Sequence, residues 1–109
     1  MLHAHGLDLM LDSMADYPVE MLNWHDRLTE PNLAAAAKSF PGLVVGGLNE
    51  NSSLVSGSTE PTRAEVNDAI AQTSGKRVMI APGCVLLVAT RDEQIKIVLQ
   101  TIEAWKPTR

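Results

Sequence analysis

Four short apolar runs, Met1 to Ala4, Val19 to Trp24, Leu43 to Gly46 and Val78 to Ala81, each lead into a segment with helical spacing. Short runs with little polar alternation suit strands covered on both faces, and parallel strands must be joined by a crossover, usually a helix. The pattern therefore predicts an α/β fold in which strand and helix alternate around a parallel sheet. A closed (β/α)8 barrel takes about 250 residues, or about 31 per unit, so 109 residues hold about three and a half to four units, half a TIM barrel. An open Rossmann-like sheet is the competing arrangement. It needs helices on both faces and usually a Gly-rich first turn, and no GxGxxG follows any of the strands.

The intervening segments carry their own signals. Leu7, Met10, Leu11 and Met14 follow the i, i+3, i+4, i+7 rule and form one stripe able to cover a sheet face. Pro31 fits a first helical turn, with Leu33, Ala34 and Ala37 as a small-residue face. Pro61 plays the same part for a helix through Ala71, whose inward stripe is Val66, Ala69 and Ile70 and whose stop is Gly75. In the last helix Thr90 and Glu93 read as a capping box, Ile95, Val98, Leu99 and Ile102 as the apolar stripe, and Pro107 as a residue beyond the end.

Composition narrows the classes of function. With 45% hydrophobic and 20% charged residues the chain can build a core, and nothing marks an interdomain linker, so residues 1–109 read as a single domain. Nine Lys and Arg against thirteen Asp and Glu give a net charge of −4 with no basic run, which argues against nucleic acid as a partner. Val85 to Ala89 is far shorter than the roughly 20 apolar residues of a membrane span, and no basic region with a signal-like apolar block follows Met1. These features predict a cytoplasmic protein that needs no membrane. Cys84 is the one cysteine, so beyond packing it can act only as a thiolate, metal ligand or redox site.

In parallel βα architectures reactive groups gather at the carboxyl ends of strands. Those ends carry His3, His5 and Gly6, then Asn23, His25 and Asp26, then Gly46, Gly47 and Asn49, then Pro82, Gly83 and Cys84. His3 and His5 stand at i and i+2 and face the same side of a strand, as a chelating pair must. Cys84 completes a zinc set with them if the sheet curves enough to bring its outer strands together, leaving a fourth position open. The plainer reading is two surface histidines and a small buried thiol. His25 and Asp26 are the candidate catalytic pair, although neighbours on a strand point to opposite faces, and Asp26 could simply cap the segment after it. Gly46, Gly47 and Asn49 are the candidate substrate-binding turn, with N–H donors for an anionic group from Asn49 to Ser53; the alternative is an ordinary turn.

Five pieces in order, Leu2-His3-Ala4-His5-Gly6, Val44-Val45-Gly46-Gly47-Leu48-Asn49, Glu60-Pro61-Thr62-Arg63-Ala64-Glu65-Val66, Ile80-Ala81-Pro82-Gly83-Cys84 and Thr90-Arg91-Asp92-Glu93-Gln94-Ile95, resemble the carboxyl-terminal half of the uroporphyrinogen decarboxylase family. The resemblance implies the last four units of a (β/α)8 barrel and a chain that is a fragment or split form. It also implies one of two chemistries. Porphyrin-pathway decarboxylases (carboxy-lyases) carry Gly-His-Gly at the last strand end, where this chain has Pro82-Gly83-Cys84. The methyltransferase branch, which moves methyl groups between corrinoid proteins and thiols, builds a zinc site from His-x-Cys and a Cys in a Pro-Gly-Cys-like turn. His3 and Cys84 map onto that pattern, and His5 stands where Cys is usual. The family's Gly-Asn-x-Asp-Pro turn is altered here to Gly46-Gly47-Leu48-Asn49-Glu50. The implied partners are a small-molecule substrate, Zn2+, and either a second copy or a chain supplying the amino-terminal half-barrel. A non-catalytic half-barrel for binding or assembly is the third possibility.

Overall fold

The computed structural model describes residues 1–14 and 16–106. Four strands, β1 (Leu2–Ala4), β2 (Met21–Trp24), β3 (Leu43–Leu48) and β4 (Val78–Pro82), form one parallel sheet in the order β1-β2-β3-β4. Each strand pairs with the next in sequence, and the register aligns His3 with Asn23, Asn23 with Val45 and Val45 with Met79. A doubly wound sheet reverses its strand order, and this one does not. Crossovers of one hand that always step the same way lay every helix on one face. The fold is therefore four successive βα units, half of a (β/α)8 barrel whose sheet is not closed. The molecule is a slab of 38 × 37 × 18 Å.

Helices α1 (Leu11–Met14), α2 (Leu33–Ser39), α3 (Glu60–Thr73) and α4 (Asp92–Ala104) connect or follow the strands, with a 3-10 turn at Ser53–Val55. The core lies between sheet and helices. Ala4, Leu22, Trp24 and Val44 point from the sheet into Leu11, Leu33, Ala36 and Phe40. Leu48, Leu54, Val66 and Ile70 form a second cluster under α3 and α4.

Several local expectations are revised. The Leu7 to Met14 stripe shrinks to one helical turn, because Gly6 (φ 101°) and Asp8 (φ 55°) turn the chain through left-handed conformations that a helix cannot contain. Leu11 and Met14 pack on the core, whereas Leu7 and Met10 are exposed. Pro31 lies just outside α2. Asn32 is the cap, its side chain accepting the Ala35 N–H at 2.9 Å, while the Pro31 carbonyl accepts from Trp24 Nε1 at 2.8 Å. Of the expected face, Leu33 is buried and Ala34 and Ala37 partly so, with Ala36 buried beside them. α3 keeps Pro61 in its first turn and buries Val66, Ala69 and Ile70 as expected. It runs two residues past Ala71 and ends through left-handed Ser74 and Gly75.

α4 departs most. The Thr90 and Glu93 box does not form, since a tight turn bonds the Thr90 N–H to Leu87 and the cap falls on Arg91. Gln94 fixes the start of the helix instead, bonded to Thr62 Oγ1 at 2.5 Å and to the Ser56 and Ser58 carbonyls at 2.8 and 2.9 Å. Val98 and Ile102 pack inward but Ile95 and Leu99 stay exposed, because α4 lies along α3 and a cavity of about 170 Å³ separates it from β4. Pro107 lies outside the described residues.

Candidate metal and thiol centre

The helix-free face of the sheet carries His3, Asn23, Val45 and Met79 across its middle, and curvature brings its ends together. Asn23 Nδ2 donates to the Val45 carbonyl of β3 at 2.8 Å and to the Pro82 carbonyl of β4 at 3.1 Å, reaching over one strand to the next. Gly83 then rests on the end of β2. A Cβ there would stand 2.8 Å from His25 Cα and 2.9 Å from the Trp24 carbonyl oxygen, so a side chain would force the β4 tip away. Cys84 follows directly and is carried toward β1.

As a result, one ligand atom each from His3, His5 and Cys84 lies within 4.8 Å of the others. Zinc bonds of about 2.0–2.3 Å in tetrahedral geometry space ligands about 3.3–3.8 Å apart, so closure on an ion needs movements of about an ångström. His5 Nδ1 is 3.6 Å from Cys84 Sγ and 3.4 Å from His25 Nε2. Because both N–H groups of Asn23 go to carbonyls, its oxygen faces His3 Nδ1 at 2.6 Å, and that nitrogen must be the donor. His3 is thereby held in the tautomer whose Nε2 keeps a lone pair, the arrangement that supports an imidazole ligand.

The family model for uroporphyrinogen decarboxylase (URO-D) matches residues 1–105. The chain belongs to the uroporphyrinogen decarboxylase family. No curated protein and no solved structure matches it.

Within this URO-D-family chain the candidate residues separate into two groups. His25 joins the histidine and thiol cluster, its ring centroid 5.1 Å from that of His5 and 6.3 Å from that of His3. A cavity of about 210 Å³ opens beside it, lined by His5, His25, Glu50, Cys84, Val85 and Leu87. Asp26 is not there. It lies on the helix side, buried, where Oδ1 accepts the Gly47 N–H at 3.0 Å, and burial raises its pKa above the ordinary carboxylate value.

Gly46, Gly47 and Asn49 are likewise committed inside the fold. A Cβ at Gly46 would run into the Asp26 carboxylate, and Gly47 (φ 104°) stands so close to Ala69 that a Cβ would lie 2.7 Å from that methyl. The Gly47 carbonyl accepts Arg27 Nε at 2.8 Å. Asn49 donates its N–H to Glu65 Oε1 at 3.1 Å, while the amides of Asn51, Ser52 and Leu54 bond back to Asn49. Glu65 is the anion that this turn holds, through the Asn49 amide and the Ser53 hydroxyl, and the other three amides are spent on Asn49 itself. Arg27 also donates to Asp68 at 2.5 Å, which keeps that carboxyl below its ordinary pKa.

Sequence reasoning missed Glu50. This carboxylate is only 3% exposed. It accepts the Gly83 N–H at 3.2 Å and stands 3.1 Å from His25 Nδ1, out of line for a hydrogen bond. Its one signal was position, directly after the β3 turn in the altered family motif. A wider groove of about 420 Å³ runs between α3 and α4, lined in part by Arg63, Asn67, Thr101 and Trp105. Among the described residues it gathers no thiol, imidazole or carboxylate, so chemistry rather than size marks the centre. Among the described residues no helix is long and apolar enough to cross a membrane.

Proposed function

We propose that His3, His5 and Cys84 hold a zinc ion and that the centre serves methyl transfer to a thiol, with a corrinoid or similar carrier as donor. The observation that carries this reading is the convergence of three ligand atoms, two nitrogens and one sulfur, within 4.8 Å at the mouth of the half-barrel. Bound there, zinc would supply a Lewis acid that keeps a thiol deprotonated at neutral pH. The thiolate sulfur forms a bond to the methyl carbon as the bond from that carbon to its donor breaks, and the electron pair leaves with the donor. Asn23 fixes the His3 ring, and His25 packs edge-on against His5 and orients it. Val85 and Leu87 give the cavity an apolar rim that limits water beside the sulfur. Asp26, Gly46, Gly47 and Asn49 act from beneath, by setting how β2 and β3 end.

In this reading the chain is the carboxyl-terminal half of a barrel, and a second half, from another copy or another chain, pairs the free edges of β1 and β4. The test is metal analysis and zinc titration of the purified protein, followed by a methylation assay with a methylated corrinoid and a small thiol. One zinc per chain is expected, lost in His3→Ala and in Cys84→Ser. A protein that takes up no zinc but changes the absorbance of an added porphyrin would move the assignment to the family's decarboxylase chemistry.

A further inference from the structure

Glu50 is sealed from water, yet neither the proposed zinc set nor the transfer step uses it. A buried carboxylate is costly unless partners hold it, and the partners here belong to two different strands. Oε2 accepts the N–H of Gly83, the residue before Cys84 at the tip of β4, sharing it with the Leu48 carbonyl at 3.3 Å. Oε1 faces His25 Nδ1 beyond the end of β2, and the other nitrogen of that ring faces His5 beyond the end of β1. Both His25 and Glu50 are more than nine-tenths buried, and both line the cavity that Cys84 enters. One side chain thus reaches the sulfur side of the cluster through a backbone amide and the imidazole side through a ring.

We infer that Glu50 is a positioning residue that sets the separation between Cys84 and His5. Its effect on metal affinity rests on the proposed zinc reading, whereas its effect on the thiol does not. The two functions of the carboxylate can be separated by substitution. Glu50→Ala removes both. Glu50→Gln keeps an oxygen for the Gly83 N–H but replaces the charged oxygen facing His25 Nδ1 with a neutral N–H2.

The experiment has two readouts on the whole chain. The first is the rate at which Cys84, the one thiol, reacts with a small aromatic disulfide in metal-free buffer. Glu50→Ala is expected to react at least about threefold faster than wild type as the β4 tip loosens, and Glu50→Gln within about twofold of it. The second is affinity for Zn2+ and for Co2+, with the thiolate-to-cobalt absorption as the spectroscopic signature. Both variants are expected to bind about tenfold or more weakly, with the sulfur band retained in Glu50→Gln and lost in Glu50→Ala. Should Glu50→Ala melt below the assay temperature, Glu50→Asp, one methylene too short to reach both partners, takes its place with the same expectations. Equal thiol rates in wild type and the shortened variant overturn the inference. A wild type that binds no metal while the rate pattern holds would sink the zinc reading alone and leave Glu50 in its role.

Discussion

His25 and Asp26 are adjacent in the chain and nearly equally buried, at 8% and 6% exposure, yet they belong to different worlds. His25 faces the cavity among imidazoles, a thiol and a carboxylate. Asp26 faces the helices, where it is bonded to the amide of a glycine that presses on α3. The helix side is held by apolar area, the open side by hydrogen bonds between a few residues at strand ends. A half-barrel can therefore keep its shape with one set of residues and present chemistry with another, and substitutions on the two sides should separate stability from binding.

The largest effect is expected from Trp24→Ala. Trp24 is fully buried and donates to the Pro31 carbonyl, so its loss should cost about 3–5 kcal/mol in urea denaturation, enough to unfold much of a marginally stable domain. Asp26→Ala comes next, at about 1–3 kcal/mol, because the Gly47 N–H is left buried without an acceptor. Asp26→Asn keeps that acceptor and isolates the charge. Since burial raises the folded pKa, the folded state binds the proton more tightly than the unfolded one. The stability this provides is full below the ordinary value of 3.8 and is lost as pH rises through the folded value. Asp26→Asn, which cannot ionise, should then be at least as stable as wild type at pH 7, with the advantage vanishing at acid pH. The smallest effect belongs to the open side. Cys84→Ser should change stability by no more than about 0.5 kcal/mol while abolishing the metal uptake proposed above. A large stability loss there would erase the contrast between the faces.

The same contrast explains what could be read in the sequence. The strands and α3 were legible because their apolar residues face the core with regular period, as Leu22, Trp24 and Val44 do from the sheet and Val66 and Ile70 from the helix. The α4 stripe misled because packing beside α3 replaces packing on the sheet, and amphipathic spacing is the same in either case. The α1 stripe misled because left-handed Gly6 precedes it and left-handed Asp8 interrupts it, and only Gly6 advertises that conformation in sequence. His3, His5 and Cys84 could be brought together in advance, since parallel architecture sends strand ends to one mouth. Glu50 could not, because a carboxylate in a turn looks solvated until the neighbouring loops are seen to cover it.

Asn23 touches all four strands: it stands on β2, accepts from His3 of β1, and donates to Val45 of β3 and Pro82 of β4. A carboxamide has two ends of opposite polarity, and here each end is spoken for, so the bend of the arch is written into the placement of a single nitrogen. An aspartate of identical outline would offer nothing to those two carbonyls, and the mouth would slacken while every apolar contact below it stayed in place.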